Sequence, residues 1–544
     1  MKKTIRQSIL CSILFFGSYL YAQEVTFTNE FIGPSILHGI VDLNGDYLED
    51  IFVAQNDAIK VYYQTDTGFE ENTFPITPTY LPEWTVAVAD FDSNGINDVM
   101  YASSTGVSFL RANEDGSAFT EAFASNTEDP IVSQRGNFVD INNDGNLDAF
   151  ICHDTEANVY FLNDGTGSFL PEIQGGLGDT DGGGDYGSIW FDYDGDKDMD
   201  LYISKCYFMG GELTDPKRIN QLHRNNGDGT FTDVAPEAGI DIPSQSWSTA
   251  VGDFDNDGDM DLVVADQHVG EIGTMVMANN GDGTFTNQTA GSGLDGVDGS
   301  VTCTTFDFNN DGFLDIYIEV GARLYLGNGD LTFTPNTFLP PIRGSVGDAN
   351  NDGFLDIYRN NNLRVNDGND NNWLKLNLKG VQSNYNGIGA IITIETASGI
   401  QTRHVRSGEG FLNAHSIIPH FGLGTDEIVG TILIEWPSGE VDFLENIAVN
   451  QSMFVEEGSF PILNISENTK DTMVLYPVPT SNVLYITSSK ELKNQVTITS
   501  NTGAKFVATI KDGTIDVHHL ATGVYYITSE TLSGVKVTKQ FTKQ

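Results

Sequence analysis

The sequence predicts an all-β chain: a seven-bladed β-propeller followed by a small β domain and a C-terminal β-sandwich. Three observations predict the propeller. Short runs rich in Val, Ile, Thr, Phe and Tyr are broken by Gly, Asn and Asp, and helix-forming patterns are scarce. A nine-residue pattern of Asp, any, Asp or Asn, any, Asp or Asn, usually Gly, any, any, Asp begins at Asp42, Asp90, Asp140, Asp192, Asp253, Asp307 and Asp348, at spacings of 48, 50, 52, 61, 54 and 41 residues. Each copy runs into an apolar strand such as DIFVA or DLVVA, and most repeats carry a second turn before an aromatic strand, as in NNGDGTF at 225–231 and 279–285. About four short strands at this period describe one propeller blade, and seven copies describe seven blades over residues 23–371.

Ahead of the repeats, Lys2, Lys3 and Arg6 precede an apolar run from Ser8 to Tyr21, with Ala22 before the expected cleavage point. This reads as a secretory signal peptide over 1–22. The run is about 14 residues, short of the roughly 20 that a membrane span needs, and no later segment is long and apolar enough to cross. Cys11 lies inside the run without a preceding small residue, which argues against a lipoprotein site. Three cysteines then remain, Cys152, Cys206 and Cys303, too few for a disulfide framework; buried thiols are expected, with a Cys152–Cys206 bridge as the alternative.

Charge bounds the partners. The chain carries 76 acidic and 27 basic side chains, a formal net charge of -49, which excludes nucleic acid as a natural partner. With 39% hydrophobic and 11% aromatic residues the composition still supports packed cores, so the acids call for a purpose of their own.

The repeat loops supply it. Oxygens at positions 1, 3, 5 and 9, with a main-chain carbonyl from position 7, suit the hard, irregular shell of Ca²⁺. The candidate ligands are Asp42, Asn44, Asp46 and Asp50 in loop one; Asp90, Asp92, Asn94 and Asp98 in loop two; Asp140, Asn142, Asp144 and Asp148 in loop three. They continue with Asp192, Asp194, Asp196 and Asp200 in loop four and Asp253, Asp255, Asp257 and Asp261 in loop five. Loop six offers Asp307, Asn309, Asp311 and Asp315, and loop seven Asp348, Asn350, Asp352 and Asp356. Position 12, as at Ile151, Val264 and Ile318, falls inside a strand, unlike the Glu of an EF-hand. Acidic hairpins without metal are the alternative, but seven in register would leave 23 clustered Asp side chains, against which up to seven Ca²⁺ ions supply 14 positive charges. Gly at position 6 permits a sharp turn, so loops three, five, six and seven should bind best and loop two, with Asn94, less well. Loops one and four hold Tyr47 and Lys197 there, with Gly45 and Gly195 two places earlier, and should fill last.

At these residues a family resemblance enters. The repeats resemble the FG-GAP or VCBS repeats of integrin-α-like propellers. From Asn372 the chain changes to NWLKLNLKG at 372–380, NGIGA at 386–390, HFGLG at 420–424 and IEWPSG at 434–439. These read as strands and Gly turns of a compact module over 372–457, with Trp373 and Trp436 filling its core, and the wording resembles an ASPIC/UnbV domain. Propeller and module together are similar to the cartilage acidic protein family, which implies an extracellular calcium-binding role and supplies no catalytic residues. His404, His415 and His420 match no zinc spacing and read as structural.

After a linker over 458–470, residues 471–544 hold seven Lys, no Arg and five acids, against 20 basic and 71 acidic groups before them. That shift marks a separate unit. LYPVPTSNVLYI at 475–486 and DVHHLATGVYYI at 516–527 resemble a type IX secretion sorting domain, although Val478 stands where the proline turn usually has Asn. The resemblance implies the type IX machinery as a partner, and a location in the medium or on the outer-membrane surface of a Gram-negative bacterium. His518 and His519 read as flanking a strand rather than binding metal.

The function expected is a binding or adhesion module for an extracellular glycan, matrix component or protein, not an enzyme. No GxSxG, HExxH or phosphate-loop motif favours the rival, a hydrolase or lyase acting on polysaccharide, and a structural spacer is the third reading. The longest repeat interval carries an excess segment, YFMGGELTDPKRI, from Tyr207 to Ile219, whose Phe208, Met209, Lys217 and Arg218 are candidate ligand contacts. Two cleavages should accompany export: the mature chain begins near Gln23 and loses the segment after about residue 470. Mass spectrometry of surface or medium protein checks this, and an exported chain ending at Gln544 would refute the second cleavage.

Overall fold

A computed structural model describes residues 25–32, 37–65, 67–126, 128–171, 173–178, 183–207, 212–268, 272–318, 323–336, 344–409, 411–461, 473–476, 480, 482–488, 492–500, 504–511, 513–530 and 536–544. The expected signal peptide, most of the expected linker, Phe208 and Met209 lie outside these residues. The chain divides into two compact units, Met1–Pro461 and Ile462–Gln544.

In the first unit, seven antiparallel sheets each contain four strands of the propeller. Their first strands are Leu37–Val41, Thr85–Ala89, Ser133–Val139, Asp185–Phe191, Ser246–Gly252, Cys303–Phe306 and Ser345–Gly347. First strands of blades one to six pack against one another in turn, and that of blade seven meets that of blade one, so they form the inner ring. Burial explains the order. The first and second strands of blade one are buried throughout, whereas its outermost strand, Gly68–Pro75, alternates between exposed and half-buried residues. Apolar runs without alternation belong in the interior, and alternating runs at the rim.

The seventh repeat supplies only three strands. The fourth, Phe27–Phe31, comes from ahead of the first repeat and pairs antiparallel from Phe27↔Asn366 to Phe31↔Asn362. One blade built from both ends of the propeller segment closes the ring.

Blades are fastened to their neighbours by buried asparagines at the ends of third strands. Asn163 Nδ2 donates to Phe91 O of the preceding blade at 2.7 Å, Asn279 Nδ2 to Tyr193 O at 2.9 Å and Asn366 Nδ2 to Phe308 O at 2.8 Å. Each also donates to a carbonyl of its own acidic loop, at Leu147, Met260 and Leu355. The repeated Asn ahead of the second turn is therefore an inter-blade latch.

Residues 372–461 form two further sheets. Asn372–Lys379 lies between antiparallel His420–Gly424 and parallel Gln451–Glu456; the other sheet orders Ile400–His404, Ile391–Glu395, Ile428–Glu435 and Val441–Ala448. Their core, including Leu374, Ile392, Ile432 and Trp436, is continuous with Phe109, Phe138 and Phe161 of blades two and three. Trp436 fills that core as expected. Trp373 does not: it is half-buried and lies across Gly353 of loop seven, where a Cβ would fall 1.8 Å from its ring.

The stretch between the two sheets threads the propeller. Ser407 Oγ donates to Val88 O, Asn137 Nδ2 donates to Ser407 O and Gly408 O, and Arg406 Nη2 donates to Val251 O. Asn413–Ala414 adds a short parallel strand to His38–Gly39, and Ser416 N donates to Val346 O. These partners are first strands of blades one, two, three, five and seven, so the segment occupies the central channel. Gly408 permits it: a Cβ there would sit 2.3 Å from Gly136 O.

The second unit is a β-sandwich. A three-stranded sheet, Met473–Tyr476, Val483–Ser488 and Thr514–Asp516, shares one core with a four-stranded sheet ordered Lys505–Thr509, Gln495–Ser500, Gly523–Glu530 and Lys536–Lys543. Leu484, Ile515, Ile498, Ile527 and Phe541 fill that core.

Replacing Asn279 by Ala should leave the buried carbonyls of Tyr193 and Met260 without their donor, a loss of about 1–3 kcal/mol of stability in urea denaturation, whereas the exposed Asn280→Ala should cost less than about half of that.

Candidate metal centres

All seven acidic segments form the hairpin between first and second strands, and so stand at one end of the ring. Their sharp turn uses two left-handed residues. In five loops position 4 is Ser or Asn, with φ from 55° at Asn310 and Asn351 to 57° at Ser93, Asn143 and Asn256, and position 6 is Gly, with φ from 88° to 101°. Loops one and four exchange the roles: Gly45 and Gly195 take position 4 at 75° and 77°, and Tyr47 and Lys197 hold 65° and 76°. The requirement at position 4 escapes a reading centred on Gly, although the recurring Asn, which tolerates this conformation, is its signal.

Position 1 organises the loop. In loop five Asp253 Oδ1 accepts from Asp257 N at 3.0 Å and Oδ2 from Gly258 N at 3.2 Å; Asp140, Asp307 and Asp348 repeat the arrangement. Position 9 has a role beyond completing a ligand shell. Asp261 Oδ2 accepts from Phe254 N at 3.0 Å and Oδ1 from Asn279 N at 2.8 Å, which ties the loop to the third strand. The same two bonds recur at Asp50, Asp98, Asp148, Asp200, Asp315 and Asp356, all fully buried.

Three loops bring carboxylates from positions 1, 3 and 9 together. Oxygens of Asp90, Asp92 and Asp98, of Asp192, Asp194 and Asp200, and of Asp253, Asp255 and Asp261 lie within 4.8 Å of one another in each trio. Asp255 Oδ1 is buried with no hydrogen-bond partner, an acceptor that a hard cation would satisfy. In the other four loops position 3 is Asn, and the side-chain amides of Asn44, Asn142, Asn309 and Asn350 donate to Asp46, Asp144, Asp311 and Asp352 at 2.8–3.0 Å. Position 5 caps the turn in every loop, as Asp257 Oδ1 does by accepting from Asp259 N and Asn94 Oδ1 by accepting from Ile96 N.

Burial pushes these carboxyls up, and neighbouring carboxylates add to it against the opposing backbone N–H groups. Asp200 rises to about 9, Asp50, Asp261 and Asp307 to about 8, and Asp148 and Asp253 to about 7.

Residues 372–461 bring cations to this end of the ring. Lys375 Nζ lies 2.7 Å from Asp348 Oδ2, 2.9 Å from Asn351 Oδ1 and 3.6 Å from Glu49 Oε2, so it bridges loops one and seven where the ring closes. The half-buried Arg403 acts electrostatically on Asp307 and Asp253, and Lys197 of loop four pairs with Glu435. Asn386 Oδ1 accepts from Asp90 N, and Tyr47 packs on Phe454 with ring centroids 5.2 Å apart. His404, His415 and His420 are held neutral by burial, at about 3, 4 and 4, and His420 Nε2 bonds Gly353 O. They are structural. So are the three thiols, all buried and unpaired, with Trp247 Nε1 donating to Cys206 Sγ. On the long connection of blade four, Arg218 is only 2% exposed, which removes it from the candidate contacts, while Lys217 lies over the Tyr207 ring at 5.0 Å.

The raised carboxyls set a pH dependence for the metal-free chain. Their folded values exceed the unfolded ones, so the folded state holds more protons between about pH 4 and pH 8, and stability must fall as pH rises through that window. Urea denaturation in chelator should show lower stability at pH 8 than at pH 5; the opposite slope would refute the buried-carboxyl assignment.

Comparison with known proteins agrees with this anatomy. Residues 42–101, 140–203, 210–264 and 270–318 match the FG-GAP-like repeat, residues 380–461 match ASPIC and UnbV, and residues 474–544 match the secretion system C-terminal sorting domain. Cartilage acidic protein 1 of Homo sapiens is 28% identical over 270 residues, 44% of this chain and 40% of that protein; its Xenopus tropicalis counterpart is 25% identical over 270 residues, 44% and 41%. The matches thus span less than half of each curated relative. Among solved structures, an Agrocybe aegerita lectin described as recognising non-reducing terminal N-acetylglucosamine overlays with a TM-score of 0.41 at 21% identity, over 56% of this chain and 80% of that one. A Bacillus licheniformis rhamnogalacturonan lyase overlays at 0.31 and 9%, over 80% and 92%. The chain is therefore built of FG-GAP-like repeats, an ASPIC and UnbV region and a secretion system C-terminal sorting domain, which together make it a β-rich bacterial protein of the cell surface or medium.

Proposed function

We propose that this protein is a calcium-binding propeller that works outside the cell as a binding module for a glycan, matrix or protein partner, and not as an enzyme. The observation that carries the reading is the ring of acidic loops. Each brings several carboxyl or amide oxygens together at one end of the ring, three of them in trios within 4.8 Å, and Asp255 Oδ1 there lacks any partner. The side chains at positions 1, 3, 5 and 9 would hold the ion, and bound calcium would supply the positive charge that lets the buried carboxyls ionise together. Their oxygens are committed to backbone N–H groups as well, which suits a rigid scaffold rather than groups that exchange protons with a substrate. The sorting domain supports the extracellular setting.

Chelation should lower the melting temperature, since at 10 mM calcium a site with a dissociation constant of 10⁻⁴ to 10⁻³ M contributes about 1.4–2.7 kcal/mol. Because binding needs ionised carboxylates, that gain should grow from pH 5 to pH 8, opposite in sign to the metal-free trend. Equilibrium dialysis should show more calcium lost from Asp261→Ala than from Asp200→Ala, since loop four holds Lys197 at a left-handed position. Melting indifferent to calcium would overturn the reading.

A further inference from the structure

The end of the ring opposite the acidic loops carries a second, chemically different surface. The acidic hairpins follow the last residues of the first strands, so the channel's other mouth is marked by the residues that begin them. There Trp84 and Trp247, both half-buried, flank Phe411 of the channel segment, with ring centroids 6.2 and 5.2 Å from it. Tyr186 continues the chain of rings at 4.8 Å from Trp247. Its hydroxyl donates to Asp154 Oδ2 at 3.2 Å, and Gln134 Nε2 donates to the same oxygen at 3.2 Å. Tyr207 and Lys217 adjoin this group. Lys217 lies over Tyr207 and acts electrostatically on Asp154, while Gln245 pins the Tyr207 backbone through both its amide groups.

One acceptor in this arrangement is unsatisfied. Gln134 is 6% exposed, and its Oε1 has no hydrogen-bond partner. A buried amide oxygen left open beside aromatic rings is an acceptor waiting for a donor.

We propose that this mouth is a carbohydrate-binding site, and that it takes a neutral pyranose glycan. The proposal rests on the reading of the chain as an extracellular binding module and names the ligand class and the place. A pyranose ring offers an apolar face to an indole or phenol and a rim of hydroxyls that both donate and accept. Half-exposed Trp84, Trp247 and Tyr207 meet the first need; Gln134 Oε1, Asp154 and Lys217 meet the second. The charges of Asp154 and Lys217 offset each other, and a chain of net charge -49 repels acidic polysaccharides, which leaves a neutral sugar as the fitting ligand.

The test is calorimetric titration of the full calcium-loaded chain with cellohexaose, laminarihexaose and chitohexaose, with melting in calcium and in chelator recorded alongside. At least one oligosaccharide should bind, and Trp84→Ala and Tyr207→Ala should each weaken it about tenfold without changing the response of melting to calcium. Tyr207→Phe, which keeps the ring, should bind like the unmodified chain. No binding of any of the three at millimolar concentration, or binding indifferent to both alanine variants, would overturn the proposal. Capture of a protein at this mouth in place of the sugars would overturn it too, yet leave the binding-module reading standing; loss of calcium-dependent melting would count against that reading instead.

Discussion

The carboxylate at position 9 of each acidic loop is the contact on which the ring depends. It is fully buried, and its two oxygens hold two different pieces of backbone: the start of its own loop and the end of the third strand. The second of these fixes the residue that reaches to the neighbouring blade, as Asn279 does toward Tyr193 O. In blades three, five and seven a single Asp thus holds the hairpin and the end of the third strand, and the asparagine there reaches the neighbouring blade. Hydrogen bonds to a charged acceptor are stronger than neutral ones, but only while the acceptor stays charged.

That condition brings in the charge problem. Several carboxyls per loop, buried side by side, resist ionisation, and the chain meets the resistance from two directions. Loop geometry surrounds position 1 with backbone N–H groups, and residues 372–461 deliver Lys375 and Arg403 from outside the blades. Lys375 acts where the demand is greatest, at the junction of first and last blades, where Glu49 adds a further buried acid. Buried pairs of this kind add little net stability when intact and cost several kcal/mol when one partner is removed, so they fix position more than they add strength. The ASPIC and UnbV region is in this sense part of the propeller: it shares a core with blades two and three, fills the channel and places its cations among the acidic loops.

The two ends of the ring consequently differ in kind. One end is acidic, rich in hydrogen bonds and overlaid by residues 372–461. The other presents rings and an open amide oxygen around the tip of the channel segment. Separating a stiff, charge-dense scaffold from an aromatic surface is a common division of labour in propellers, because connections on a rigid frame vary without disturbing the frame.

Much of this was legible in the sequence because it repeats. A period of Asp, Asn and Gly positions followed by apolar strands expresses local physics, turn chemistry and strand burial, and local physics is written in adjacent residues. Seven blades and their loops follow from it, whereas the sandwich at the end was expected from the resemblance of residues 471–544 to a sorting domain. What stayed hidden depended on partners far apart in the chain. Phe27–Phe31 completes blade seven some 330 residues away, which no spacing foretells. Trp373 looked like a core residue and instead covers Gly353, because the surface it packs on belongs to another repeat. Arg218 sat in a polar insertion and is buried. The sequence by itself determined the repeating unit, since each blade's hairpins, turns and acids are set by residues within reach of one another. Only the tertiary structure decided how the ring closes, what fills its channel, which cations meet its carboxylates and which side chains gather at the opposite mouth, because those depend on surfaces that exist only once distant segments have packed.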